Sequence, residues 1–243
     1  MCYLIITEEK IMKEIRLTKT EFMNGMRCGK MVWLDKHHPE LKKLSPEVKE
    51  LFARGNAFGD NAMGIFGEYE EMTVYTPEGR IDCSAMIKRS KEAIKKGTRV
   101  ICEAAFTRDG LYCAIDVLRL DDGCDPADPT YTMYEVEDAP KVEPWFIMDA
   151  AFQYYVASKT IKISKVFIVT HGENDTYETT KVIRLVEATQ KGMPILIDHV
   201  KAAIASSEEP TIPCGKDCEE PYRCPYWDNC QKEITDRIEV KHE

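Results

Sequence analysis

Two groups of residues in this chain have types and spacings that suit chemistry. The first is a set of thiols. Cys214, Cys218, Cys224 and Cys230 crowd a short tail, CGKDCEEPYRCPYWDNC, that is interrupted by prolines and rich in aromatics. Such a segment builds no long helix or strand, so its order must come from a cross-link or a metal. The second is a set of acids. Glu103, Asp116 and Glu135 each interrupt an apolar run, in ICEAA, AIDVL and YEV, and Glu137 follows two residues on. Burying a lone carboxylate costs several kcal/mol unless it is paired or metal-bound. Strand alternation places Glu135 and Glu137 on one face and Val136 on the other. Two or three such acids from adjacent strands suit a hard divalent cation, with waters left for a phosphate and a nucleophile. Spacing alone leaves the alternative open that these acids point outward from half-exposed strands.

The elements that must position these groups belong to an ordinary globular chain. It has 243 residues, 44% hydrophobic and 31% charged, enough to bury a core. The expected layout is one domain over residues 1–243. Within it lie an N-terminal helical part (17–97), a core (98–190), and a C-terminal helix with the cysteine cluster (191–243). No apolar stretch approaches bilayer-spanning length. The start, Met1 to Lys13, has a short apolar run followed by Glu8 and Glu9. That order does not fit a secretory signal, so no membrane association and a cytoplasmic location are expected. In a reducing compartment the ten cysteines are not five disulfides. The net charge of −9 argues against holding nucleic acid by bulk electrostatics. The basic stretch from Lys88 to Arg99 still allows a local cationic groove.

Residues 18–36 read as one amphipathic helix containing Cys28, and Ser45-Pro46 starts a second. Gly55 and Gly59, four apart on that second helix, leave a small-residue strip with room for another segment to approach closely. Ser84 opens a third helix, which Gly97 ends. The period then changes to strands over Val100–Phe106 and Leu111–Leu120, joined by Asp109-Gly110, a strong hairpin signal. Further strands are expected at Tyr131–Glu137, Lys165–Thr170 and Lys181–Val186, with helices at Trp145–Ser158 and Pro194–Ser206. The order predicts an α/β fold with a mixed central sheet flanked by helices.

The segment from Ile101 to Gln153 resembles the PD-(D/E)XK nuclease core, in the RecB-like branch that includes CRISPR-associated exonucleases. The matching text is ICEAAFTRDGLYCAIDVLRL, then YEVE, then DAAFQYYV. Upstream, LTKTEFMNGMRCGKMVWLDKHHPEL is similar to the amino-terminal helix of those proteins, whose cysteine joins three from the C-terminus. The resemblance implies a restriction-endonuclease-like core with a C-terminal iron–sulfur-type cysteine appendage. It implies an enzyme as well: a Mg²⁺- or Mn²⁺-dependent DNA exonuclease acting on single strands or ends.

Carried over by position, Asp116 and Glu135 would be metal ligands, with the Val136 carbonyl completing the shell and Glu103 an auxiliary acid. Gln153 would orient the site. The family's lysine after glutamate-X is Glu137 here. The resemblance then leaves two outcomes. Glu137 enlarges the metal site while Lys141, four residues on, returns a cation, or the fold binds DNA ends or a protein partner without turnover. The resemblance also assigns Cys28, Cys218, Cys224 and Cys230 to a [4Fe-4S] cluster, with Cys218 preferred to Cys214. Four thiolates suit zinc as well.

Other tempting groups have simpler readings. His37 and His38, adjacent on a helix, point apart and read as an exposed helix end. Asp60 reads as a solvated helix face. Tyr222, Tyr226 and Trp227 offer stacking surfaces, yet packing about the cysteine site explains them equally.

Overall fold

In the computed structural model the structure describes residues 16–232. The opening segment Met1 to Lys13 therefore lies outside the described residues. The helices are α1 (Lys19–Arg27), α2 (Gly29–His37), α3 (Pro46–Met63), α4 (Cys83–Lys96), α5 (Pro144–Ala157), α6 (Ile183–Thr189) and α7 (Met193–Ala205). The strands are β1 (Leu17–Thr18), β2 (Glu70–Glu71), β3 (Val100–Arg108), β4 (Leu111–Leu120), β5 (Thr130–Val136), β6 (Lys162–His171) and β7 (Tyr177–Lys181). Among the described residues two compact units result: Arg16–Lys19 with Gly55–Met193, and Thr20–Arg54 with Pro194–Lys232.

The first unit is a mixed α/β arrangement on a seven-stranded sheet, ordered β2-β3-β4-β5-β6-β7, with β1 beside β4. The β3–β4 hairpin forms because Asp109 and Gly110 both take positive φ, 51° and 80°, which a two-residue turn of this hand requires. β3, β4 and β5 run antiparallel in succession, whereas β6 is parallel to β5. A parallel neighbour needs a crossover, and α5 provides it. Pro144 sits in its first turn, and Phe146, Ala150, Phe152 and Val156 are buried. α4 is capped by the Asp82 carboxylate, which accepts from the Ala85 amide at 3.0 Å, and ends on left-handed Gly97. Its Ser90 hydroxyl accepts from the Ala105 amide of β3 at 2.8 Å.

The second unit packs α1, α2, the start of α3, α7 and the cysteine tail. α1 and α7 approach closely: a Cβ on Gly25 would lie 2.4 Å from a Val200 methyl. Met31, Trp33, Leu34 and Tyr226 form its apolar centre, with Cys28, Leu41 and Cys224 against it.

Three expectations need correction. The helix over 18–36 is two helices, because Cys28 is extended (φ −162°, ψ 117°) and breaks the run. Residues 181–186 are not a strand: β7 ends at Lys181, and Ile183 and Val186 are buried on helix α6. At Gly55 and Gly59 an added Cβ would meet nothing within 4 Å, so among the described residues no segment exploits that strip. Short strands β1 and β2 carry too few residues for a periodic signal. Among the described residues no helix is long and apolar enough to cross a membrane.

Candidate metal centre and cysteine site

Three edges of the first unit converge on one group of acids. β4 carries Asp116, the end of β5 carries Glu135 with Glu137 just beyond the strand, and the crossover helix α5 carries Asp149 and Gln153 four positions apart on one face. Donor oxygens of Glu135, Glu137 and Asp149 all lie within 4.8 Å of one another. Asp116 closes on the same place, its Oδ2 accepting the Val136 amide at 2.7 Å.

Glu103 stands opposite Asp116, where the β3–β4 ladder pairs Cys102 with Val117 and Ala104 with Ile115 but skips the residues between. Its φ is 55°. A non-glycine residue so placed costs about 1 kcal/mol or more, and such outliers concentrate at functional sites.

Two contacts hold the cluster. Gln153 Nε2 donates to Glu135 Oε2 at 2.5 Å and to Asp149 Oδ1 at 2.7 Å. Lys19 Nζ lies 2.8 Å from Glu135 Oε1 and 3.3 Å from Asp149 Oδ1. Gln153 Oε1 is buried without a hydrogen-bond partner among the described residues.

The electrostatics follow from crowding acids in a covered place. Burial, then Asp116, pushes the Glu135 carboxyl well above its ordinary range, and Lys19 pulls against this. Burial raises Asp116, opposed by Lys19 and the Val136 amide. Glu137 is pushed up to about 8 by burial and Asp149, and Glu103 to about 7 by burial and Asp116. Burial alone would lower Lys19, but Asp149, Glu135 and Asp116 together hold its ammonium well above the usual lysine value.

The acid cluster fits a hard cation. Two oxygens on one Mg²⁺ lie at most about 4.2 Å apart, twice the metal–oxygen distance. The separations here need little adjustment to reach that. The orphaned Gln153 Oε1 would accept from a metal-bound water.

Structure and sequence differ on which cation and which acids take part. Lys141 does not return to the site: its Nζ lies 3.2 Å from Glu143 and its side chain is 74% exposed. The three residues separating it from Glu137 carry it out to solvent. Lys19 and Asp149, absent from the sequence reading, are in the cluster. Asp149 had a legible signal, standing one helical turn before Gln153. Lys19 had none, since its approach is tertiary. Asp60 is exposed, with a minor electrostatic influence on Glu103.

In the second unit, Cys28, Cys214, Cys218, Cys224 and Cys230 line one cavity with Arg27 and Lys30. Cys224 senses Cys218 and Cys28, and Cys214 senses Cys218 and Cys230. The described cysteines are all free thiols. Arg27 ties the tail down, donating to the Asp217 and Tyr222 carbonyls at 2.8 and 2.5 Å and stacking on the Tyr222 ring. Its Nη1 is buried without a partner.

An orphaned guanidinium nitrogen beside five thiols suits an anionic thiolate–metal group. Three thiolates on one zinc lie about 3.8 Å apart. Among the described residues the thiols do not meet the 4.8 Å spacing that the acids do.

The aromatics of the tail serve packing. Tyr226 is buried and donates to Asp35 at 2.9 Å, and Tyr222 meets Phe52 edge-on at 5.0 Å. His37 stacks on Trp33, and His38 pairs with Glu40.

No family model and no curated protein matches the chain. Among solved structures, the chain is similar to a protein named SSO0001, at 11% identity and a TM-score of 0.34, over 84% of this chain and 95% of that one. It is also similar to an alkaline exonuclease from Laribacter hongkongensis, at 12% identity and a TM-score of 0.34, over 80% of this chain and 95% of that one.

Proposed function

We propose that this protein is a Mg²⁺- or Mn²⁺-dependent DNA exonuclease of the RecB-like PD-(D/E)XK type, a cytoplasmic protein acting on single strands or ends. The observation that carries the reading is the convergence of Glu135, Glu137 and Asp149 within 4.8 Å, with Asp116 tied to the next backbone amide. A bound divalent ion would supply Lewis acidity, lowering the pKa of a water and taking up charge on the phosphate. Asp116, Glu135, Glu137 and Asp149 would hold it, with Glu103 beside them. Gln153 fixes two of those carboxylates and offers Oε1 to an attacking water. In the reaction the water oxygen joins phosphorus and the bond to the departing nucleotide oxygen breaks. One proton ends on that hydroxyl and the other on the new phosphate monoester.

Cys28, Cys218, Cys224 and Cys230 are proposed to hold a [4Fe-4S] cluster that orders the tail, a structural role. The orphaned Arg27 nitrogen beside the thiols supports an anionic thiolate-bound group there, and zinc is the alternative to the cluster. Cys214 reaches the same cavity and is the alternative to Cys218.

Incubating labelled single-stranded DNA with Mn²⁺ tests the enzyme reading: the wild type degrades it, and Asp116→Ala does not. The carboxyl at position 137, where the family has lysine, favours a second reading, a nuclease fold that binds DNA ends without turnover. DNA binding with no cleavage under any metal would select that one.

A further inference from the structure

We propose that Lys19 supplies the ammonium of this site, replacing from the start of helix α1 the lysine that position 137 lacks. The inference rests on the hydrolase reading above and names a residue for it.

The geometry is specific. Lys19 Nζ reaches Glu135 and Asp149, on β5 and α5, at 2.8 and 3.3 Å, while the nearer candidate in sequence, Lys141, faces solvent. The backbone that delivers it is fixed. Leu17 is fully buried, Leu17 and Thr18 pair with Leu111 and Tyr112 of β4, and the Arg16 and Leu17 amides donate to the Gly110 carbonyl at 2.7 and 3.2 Å. A lysine carries a compact charge with three donors on a flexible four-carbon stem. From a pinned Cα, that stem lets the ammonium pass from a carboxylate to a phosphate oxygen without moving the chain.

Charge requires such a group. Glu103, Asp116, Glu135, Glu137 and Asp149 carry five negative charges when ionised, against two positive from one divalent ion. A phosphodiester entering the site adds a further negative charge, and the transition state concentrates it on the phosphoryl oxygens. Replacing lysine by Glu137 moves the balance two units toward repulsion, and Lys19 returns one.

A lysine that only filled the acids until metal arrived would have the same contacts, so the test must separate the two roles. With Mn²⁺ and labelled single-stranded DNA, Lys19→Gln is expected to lose turnover by about a hundredfold or more, with the KM for DNA little changed. Calorimetric titration is expected to show it binding Mn²⁺ at least as tightly as the wild type, because a competing cation has gone. In the double variant Lys19→Gln/Glu137→Lys, an ammonium arriving from the usual position is expected to restore turnover at least tenfold. Lys19→Met, which keeps most of the stem, serves if the glutamine variant melts early.

Wild-type turnover in Lys19→Gln would overturn the inference. So would a double variant that binds Mn²⁺ fully yet is no faster than Lys19→Gln. A wild-type protein that cuts no DNA with Mn²⁺ would overturn the hydrolase reading and this inference with it.

Discussion

Gln153 clamps Glu135: its amide nitrogen lies 2.5 Å from Glu135 Oε2, so a neutral group holds a carboxylate that is 2% exposed. The same nitrogen reaches Asp149, and the amide oxygen is left over. Partners that orient metal ligands commonly matter tenfold to a hundredfold for affinity or activity. Gln153→Leu is therefore expected to weaken Mn²⁺ binding by about that factor. Calorimetry measures it directly, and an unchanged affinity would remove Gln153 from the site.

The raised acids fix the direction of a pH effect. Glu137 and Glu103 sit at about 8 and about 7 against an ordinary 4.5. Between those limits the folded state binds more protons than the unfolded chain, so stability falls as pH rises through the window. In EDTA the protein is expected to melt at a higher temperature near pH 5.5 than near pH 8. Metal uptake near neutral pH must expel those protons. Calorimetry in buffers of different ionisation enthalpy is expected to show proton release, and a melting temperature flat from pH 5.5 to 8 would contradict the raised values.

The cysteine site makes a separable prediction. Protein purified without oxygen is expected to be brown and to contain iron and sulfide. Cys28→Ser, Cys224→Ser and Cys230→Ser are expected to lose both, with a fall in melting temperature. Comparing Cys214→Ser with Cys218→Ser identifies the fourth ligand, Cys218 being expected. A colourless wild type with stoichiometric zinc would replace the cluster by zinc.

Backbone strain at Glu103 offers a trade. Glu103→Gly relieves a positive φ of 55° and removes one of the crowded acids. It is expected to stabilise the metal-free protein by about 1 kcal/mol. DNA cleavage is expected to weaken in the same variant. Urea denaturation and the nuclease assay together check the two signs.

Much of the sheet was legible because its signals are local. Asp109-Gly110 accepts the turn's positive φ angles whatever surrounds it, and the Asp82 cap and Gly97 stop bound α4 by short-range hydrogen bonds. Where long-range packing decides, the reading failed. Val182 to Val186 has strand-like composition, yet Ile183 and Val186 are drawn into helix α6. The candidate site divides in the same way. Asp116, Glu135 and Gln153 follow from a resemblance to a motif, and Asp149 from helical spacing to Gln153. Lys19 stands 116 positions from Glu135, and no periodicity links them. The choice between Cys214 and Cys218 stays open in the sequence, because spacing does not report where a proline-broken loop folds back, and both thiols line the same cavity.

The two residues of β1 have a practical consequence for anyone shortening this protein. A chain trimmed to begin at Thr20 would keep β2 through β7, α5 and all five acids, so spectra reporting secondary structure would look intact. It would have lost the sole lysine ion-paired to Glu135 and Asp149 among the described residues. Inactivity in such a fragment would then report a missing counter-charge, and should not be taken as evidence that the untrimmed chain cannot cut.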